Sequence, residues 1–206
     1  MDTKRLFYQR LRDFIYHIPG DNPSAFTLCG TNCFVVGSGP RRIMIESGDY
    51  PERNQLFLEN FNRFLNDFTH VSIDRIFITH AHHDHFGGLY DVLRTLIDRG
   101  HKEPQVYKRL DGNRFEQEVF GRFPTLHGKV LDLKHGDTFE LPDDPFIMKA
   151  LYTPGHATDH FSMLMNPTAA SGESYLFSGD IILGTPSSTV MELKSYMDTL
   201  YALRAE

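Results

Sequence analysis

The sequence is short of cysteine, of long apolar runs and of positive charge. Its 206 residues include two cysteines, Cys29 and Cys33. In an extended strand their Cα atoms would lie ~13 Å apart, at about 3.3 Å per residue, so a disulfide between them requires a turn. Two cysteines alone do not make a zinc site, and the simpler interpretation is a reduced structural pair in an intracellular protein.

No apolar run approaches the roughly 20 residues that cross a bilayer, so we expect no membrane-spanning helix and no membrane partner. The formal net charge is −6, and the chain as a whole therefore lacks the positive footprint of a nonspecific nucleic-acid binder. A local basic patch remains open in residues 99–134, where eight Lys and Arg stand against five acidic residues. Scattered charge of this kind is more often a solvated face.

The apolar pattern predicts a single domain over residues 1–206, built from short strands and amphipathic helices. Helical spacing is found within residues 1–20, 51–68, 89–100 and 191–203. Two apolar runs, 34–36 and 43–45, flank a Gly/Pro turn and predict a β-hairpin. Further strands are predicted at residues 75–79, 105–107, 146–153, 161–165 and 175–178.

Four metal-binding side chains follow the predicted strand 75–79 within six residues: His80, His82, Asp84 and His85. His80 and His82 are two residues apart, so both can face one cavity. Asp84 and His85, on the turn, can face a second metal position. An exposed histidine-rich turn that binds metal adventitiously is the alternative interpretation. The ordered HxHxDH pattern, behind a buried strand and before a Gly-Gly pair and a helix, favours a metal site.

Two later turns place polar residues just beyond predicted strands. His156 ends the sequence Thr-Pro-Gly-His, and Asp180 ends Ser-Gly-Asp. Each turn alone is ordinary, but in order after the first motif both residues become candidate ligands. Imidazole and carboxylate groups suit zinc, and they also suit manganese or iron.

In this order the motifs resemble the metallo-β-lactamase superfamily, and the resemblance covers nearly the whole chain. The segments 30–32, 39–42, 153–156 with His160 following, and 179–184 most resemble the β-lactamase-like protein 2 group, whose members are endoribonucleases acting on single-stranded RNA. The resemblance implies an α/β fold of the αββα type, a four-layer sandwich in which two mixed sheets face each other with helices outside and metals at one edge.

The resemblance also implies two zinc ions. The first would be held by His80, His82 and His156, the second by Asp84 and His85, and Asp180 would bridge them. A metal-bound hydroxide would be the nucleophile. Asp84 and Asp180 are therefore the expected catalytic residues, with Asp84 orienting the hydroxide or handling its proton.

Three further residues are expected around these ligands. The hydroxyl of Thr79 would support a ligand, and His160 would meet a substrate oxygen or pack against the site. Glu46 stands where the superfamily usually has an aspartate that hydrogen-bonds a metal ligand. Loss of such outer partners typically costs ~10- to 100-fold in affinity or activity, so the change predicts either a weakened site or compensation by a backbone shift.

The superfamily completes its second metal position with one more histidine beyond the bridging aspartate. None of the 26 residues after Asp180 is a histidine. We therefore expect a chain truncated before the last family ligand, with an incomplete C-terminal half and a weaker second metal position.

The leading functional hypothesis is endonucleolytic cleavage of single-stranded RNA. A glyoxalase II-like hydrolase acting on a small thioester is the second hypothesis, and a truncated metal-binding remnant with little activity is the third. Fold alone does not choose among them. The expected location is the mitochondrial matrix or the cytoplasm, and the sequence predicts no oligomeric state.

Overall fold

The computed structural model of the protein describes residues 6–25, 27–140, 143–169, 172–183 and 187–206. The first strands are β1 (Gln9–Arg12), β2 (Ile15–Pro19), β3 (Asn32–Val36), β4 (Arg41–Ile45), β5 (Ser72–Phe77), β6 (Gln105–Lys108) and β7 (Val130–Asp132). The later strands are β8 (Thr138–Glu140), β9 (Phe146–Tyr152), β10 (Phe161–Pro167) and β11 (Tyr175–Phe177). The helices are α1 (Gln55–Asp67), α2 (His83–Phe86), α3 (Leu89–Asp98), α4 (Arg114–Arg122) and α5 (Leu193–Ala205).

The first sheet has seven strands in the order β1-β2-β3-β4-β5-β6-β7. Strands β1 to β4 pair antiparallel, and β4 to β7 pair parallel. Ile45 of β4 lies opposite Phe77 of β5. Because parallel strands end at the same edge, the residues that follow Ile45 and Phe77 emerge side by side.

The second sheet has the order β11-β10-β9-β8 and is antiparallel throughout. Strands β9 and β11 both run opposite to β10, so their carboxyl ends share one edge. The N–H of Phe161 donates to the carbonyl of Thr79 at 2.8 Å, which joins this edge to the edge of the first sheet. The loops that follow β5, β9 and β11 therefore meet at one place.

Two hydrophobic clusters separate the layers. Between the sheets, Ile45 and Phe77 pack with Met148, Ala150 and Phe161. The other face of the first sheet is covered by α1, α3 and α4 through a second cluster that includes Phe57, Phe61, Phe64, Leu89 and Val119.

Helix α5 forms the fourth layer. Side chains alternate along β9, so Lys149 faces away from the inter-sheet cluster that holds Met148 and Ala150. Lys149 pairs with Glu206, at the end of α5, at 2.8 Å. The helix thus covers the outer face of the second sheet, and the layers follow the predicted αββα order.

The prediction of a helix within residues 1–20 is wrong, because residues 9–19 form the hairpin β1–β2; residues 1–5 lie outside the described part of the chain. Ile15 enters the cluster between the sheets, whereas Tyr16 and Ile18 enter the cluster under the helices. Burial on both faces and pairing with β3 therefore decide the conformation, and neither is visible in local spacing.

The other predicted elements are found within a few residues of their expected bounds. The β3–β4 hairpin, α1, α3 and α5 are confirmed, although α1 begins at Gln55 rather than near Pro51. The apolar pattern of the sequence did not predict α4, β7 or β8.

Cys33 is buried in β3 and Cys29 is exposed, and both are free. None of the described helices combines the length and apolar character needed to cross a bilayer.

Candidate metal centre

Three loops at the shared edge carry the candidate ligands. The loop after β5 holds His80 and His82, and the loop after β9 holds His156. Asp180 lies in a single 3₁₀ turn, Gly179–Ile181, directly after β11. Each strand end fixes the position at which its loop begins, so the fold gathers residues separated by as many as 100 positions in the sequence.

One atom from each of His80, His82, His156 and Asp180 lies within 4.8 Å of the others. Nδ1 of His82 is 2.9 Å from Nε2 of His80 and 3.1 Å from Nε2 of His156. Nitrogens bound to one tetrahedral zinc at about 2.05 Å are separated by ~3.3 Å. The three rings thus converge at the spacing of ligands around one ion.

Hydrogen bonds behind two of the rings decide which nitrogen carries the proton. Oγ1 of Thr79 donates to Oε1 of Glu46 at 2.6 Å, so it accepts from Nδ1 of His80 at 2.9 Å. Nδ1 of His156 donates to the carbonyl of Thr189 at 2.9 Å. Both rings therefore present an unprotonated Nε2 to the centre, which is the electron pair that a metal requires.

Asp84 and His85 form a second position on the other side of Asp180. Nε2 of His85 is 3.3 Å from Oδ2 of Asp84 and 3.4 Å from Oδ1 of Asp180. Oδ2 of Asp180 is instead 3.4 Å from Nε2 of His156. The two oxygens of Asp180 thus face different ligand groups, as those of a bridging carboxylate do.

The protonation of the two positions differs. Burial, reinforced by neighbouring imidazoles, lowers the pKa of His80 well below its usual value and that of His82 to about 4. Burial also disfavours a charged His85, but Asp84 and Asp180 outweigh it and raise its pKa well above the usual value. At neutral pH His80 and His82 are therefore neutral, as a metal requires, whereas metal binding at the second position must release a proton from His85.

The comparison with protein families matches residues 26–203 to the metallo-beta-lactamase superfamily. The chain belongs to the metallo-β-lactamase superfamily. Among the solved structures of such proteins, a beta-lactamase domain protein from Burkholderia ambifaria superposes with a TM-score of 0.69 over 98% of this chain and 68% of that one, at 18% identity. A likeness at this identity supports the fold alone.

Curated superfamily relatives are similar over most of the chain. The "Beta-lactamase-like protein 2 homolog" of Drosophila melanogaster is 37% identical over 93% of this chain and 60% of its own length. The "Atrochrysone carboxyl ACP thioesterase" of Passalora fulva is 31% identical over 93% of this chain and 50% of its own length. This chain thus spans between half and three fifths of these relatives.

Glu46, which stands where the resemblance implies an aspartate, contacts the candidate ligand His85 and also Thr79, whose hydroxyl supports His80. Oε1 accepts the hydroxyl of Thr79 and lies 3.2 Å from Nδ1 of His85, and Oε2 accepts the N–H of Thr79 at 3.3 Å. The residue is buried, and its φ of 66° is in the left-handed region that non-glycine residues rarely occupy. Strain at this site indicates that surrounding contacts hold the carboxylate in place.

We expect Glu46→Gln to weaken zinc binding about 10- to 100-fold, since the neutral amide no longer attracts His85 or fixes the proton of His80 through Thr79. Competition with a chromogenic chelator measures the affinity. The exposed Glu118→Gln variant serves as the control. Equal affinities of wild type and Glu46→Gln would contradict the supporting role.

His160 lies behind Asp180 with no exposed surface. Its Nε2 accepts the N–H of Asp180 at 3.1 Å, and its Nδ1 donates to Oγ1 of Thr153 at 2.8 Å. Burial lowers the pKa of His160 to about 3. With both nitrogens engaged, its geometry supports positioning of Asp180 rather than contact with a substrate oxygen. A Cβ at Gly179 would lie 2.6 Å from Nε2 of His160, which explains the glycine there.

Two contacts to the ligands were not predicted from the sequence. The hydroxyl of Thr31 donates to Oδ2 of Asp84 at 2.9 Å, and the ring of Phe115 packs edge-on against His82 at 4.7 Å between centroids. The sequence marked Thr31 only as part of a Gly-Thr-Asn segment that resembles the family. Phe115 carried no signal, because nothing local indicates that α4 folds back over His82.

His83, also in the histidine-rich loop, is half-buried, with its Nδ1 2.9 Å from Oδ1 of Asp49 and its ring stacked on Tyr50. The segment 179–184, which resembles the family, is described as far as Leu183, and residue 184 lies outside the described residues.

Proposed function

We propose that this chain is a metal-dependent hydrolase that cleaves single-stranded RNA endonucleolytically. One observation supports the hydrolase assignment. The imidazole nitrogens of His80, His82 and His156 converge beside one carboxylate oxygen of Asp180, and the second oxygen of Asp180 faces His85. Metal ions bound there would lower the pKa of water and stabilise charge on a phosphoryl oxygen. Zinc best suits this donor set, with manganese or iron as alternatives.

Asp84 and Asp180 perform different tasks in this proposal. Burial opposes ionisation of Asp84, but His85 and the Thr31 hydroxyl hold its pKa well below the usual value. An ionised Asp84 is an acceptor that orients the attacking water by a hydrogen bond. Asp180 holds the two ligand groups together, and the hydrogen bond from its N–H to His160 fixes its backbone.

A cation and an aromatic ring beside His82 support RNA as the substrate. Phe115 contacts His82, and the guanidinium of Arg114 lies 4.5 Å from the centre of the Phe115 ring. Arg114 is exposed and has no ion pair within the described residues. A guanidinium binds phosphate and an aromatic ring stacks on a base, so this pair suits a nucleotide next to the scissile bond.

Thioester hydrolysis is a second candidate because an apolar cavity adjoins the centre. The cavity has a volume of about 480 Å³ and borders Glu46, His85 and Asp180. Its other walls include Phe34, Ile45, Phe177 and Ile182. Such walls suit an acyl chain, and a relative at 31% identity carries the name of an acyl carrier protein thioesterase.

One experiment separates these candidates. The zinc-loaded chain is given an unstructured fluorescent RNA and, separately, a glutathione thioester. We expect cleavage of the RNA, a rise of about 10-fold in KM for Arg114→Gln, and unchanged KM for Arg94→Gln, an exposed arginine on α3. Asp84→Ala should abolish cleavage and leave the circular dichroism unchanged.

Each other outcome selects an alternative. Turnover of the thioester without RNA cleavage would replace the ribonuclease proposal by the thioesterase. Turnover of neither substrate by a chain with bound zinc would favour the metal-binding remnant. Equal KM values for Arg114→Gln and wild type would contradict the role of Arg114.

A further inference from the structure

A buried ion cluster lies beside the metal centre and is formed by Lys108, Glu116 and Asp159. Nζ of Lys108 is 2.7 Å from Oδ2 of Asp159 and 2.9 Å from Oε2 of Glu116, and it donates to the carbonyl of Arg109 at 2.6 Å. Lys108 has no exposed surface, and both carboxylates are also buried. None of the three side chains belongs to the proposed hydrolytic chemistry.

The cluster joins three segments, two of which lie eight residues apart in the sequence, whereas the third is distant from both. Lys108 ends β6 of the first sheet, and Glu116 lies in the first turn of α4. Asp159 lies in the loop between β9 and β10, three residues after the candidate ligand His156. One ammonium group therefore fixes a ligand loop and α4 to the same point of the first sheet.

Both attached segments act on the first metal position. The loop carries His156, and α4 carries Phe115, which packs against the ring of His82. The attachment at Glu116 is rigid because its Oε1 also accepts the N–H of Gly112 at 3.1 Å, and its N–H donates to Oδ1 of Asn113 at 3.0 Å. A shift of either segment would change the distance between the nitrogens of His82 and His156, now 3.1 Å.

Stability alone does not explain a cluster of this kind. Burial of an ammonium and two carboxylates requires large desolvation, and well-packed apolar residues in place of buried ion pairs are often neutral or stabilising. What the ions add is a fixed position, since a short contact between opposite charges in a buried site tolerates little displacement. The cluster lies between the loop that carries His156 and the helix that supports His82. A restraint at this place therefore affects the spacing of these two histidines.

We propose that Lys108, Glu116 and Asp159 form a positioning cluster that sets the spacing of His82 and His156 for the first metal. The inference rests on the metal centre of the proposed function and is independent of its substrate. It concerns positioning residues, because none of the three touches the metal or a reacting atom.

The test uses Co²⁺ as the probe on the full chain, with visible absorption reporting ligand geometry and a titration reporting affinity. We expect Asp159→Asn and Glu116→Gln each to weaken Co²⁺ binding about 10- to 100-fold and to alter the visible bands. Each replacement is nearly isosteric, so a change of shape is avoided. Lys108→Met removes the shared cation and should have the largest effect.

Arg42→Met is the matched control for a loss of stability. Arg42 is equally buried, but it lies at the start of β4, away from the carboxyl edge, with its guanidinium over the rings of Tyr16 and Phe68 at 5.0 and 5.2 Å. This variant should lower the thermal midpoint of the metal-free protein and leave Co²⁺ affinity and spectrum unchanged. A purely structural role would make the cluster variants behave like Arg42→Met.

The outcomes separate the two proposals. Wild-type affinity and spectrum in Asp159→Asn and Glu116→Gln would overturn the positioning role and leave the metal centre intact. Failure of the wild-type chain to bind Co²⁺ would overturn the metal centre and the positioning role together. Should Lys108→Met not fold, the two carboxylate variants still decide the question.

Discussion

Replacement of His82 by alanine is expected to empty the first metal position and to lower hydrolysis by at least about 100-fold. Nδ1 of His82 is 2.9 Å from Nε2 of His80 and 3.1 Å from Nε2 of His156, so its loss leaves a gap in the centre of the ligand group. Loss of an outer partner alone typically costs ~10- to 100-fold, and loss of a direct ligand should cost at least the upper value. Elemental analysis of metal per purified chain measures the effect.

The control is His70→Ala, which removes an exposed histidine and should keep the metal content of the wild type. A wild-type value near two metals per chain, with loss in His82→Ala, would support both positions. A value near one would identify the first position, whose His80 and His82 are neutral without a metal, as the one that fills. Equal metal content in wild type and His82→Ala would refute the assignment of the centre.

Asp180→Asn is expected to abolish binding at the second position and to reduce hydrolysis at least about 100-fold. The carboxylate lies 3.4 Å from His85 through one oxygen and 3.4 Å from His156 through the other. An asparagine keeps the side-chain shape and the hydrogen bond from the backbone N–H of residue 180 to His160. It removes the negative charge, and its NH₂ group places a hydrogen-bond donor towards one ligand group. The substitution therefore tests the bridge and spares the packing.

Zinc stoichiometry and the rate of hydrolysis are measured together on Asp180→Asn. Asp198→Asn, which removes an exposed carboxylate of α5, provides the matched control. We expect at most one zinc per chain in Asp180→Asn and the wild-type value in Asp198→Asn. Full occupancy with a normal rate in Asp180→Asn would show that Asp180 does not bridge two metals.

The two candidate metal positions differ in this chain for an electrostatic reason. His80 and His156 present lone pairs that Thr79 and the carbonyl of Thr189 have fixed in advance. At the second position Asp84 and Asp180 stabilise a proton on His85 instead. A metal must displace that proton, so its affinity for the second position falls as the pH falls.

The sequence by itself determined the candidate ligands, because they follow a local rule. Each of His80, His156 and Asp180 comes just after a predicted strand, and strands of one sheet that run in the same direction end at one edge. The ends of strands can be located from apolar runs in the sequence. The HxHxDH spacing after the first of these strands indicates metal ligands. The αββα layers followed from the resemblance that these motifs carry.

Only the tertiary structure decided how those ligands are held. The proton positions on His80 and His156 depend on Glu46, acting through Thr79, and on Thr189, and Glu46 and Thr189 are distant from these histidines in the sequence. The hydrogen bond from Asp180 to His160 depends on the packing of β10 beside β11. The same holds for residues 9–19, which form strands because β3 and two hydrophobic clusters lie beside them. Local spacing reports which residues avoid water, whereas the partner of a buried polar or apolar group is set by contacts between segments that the fold brings together.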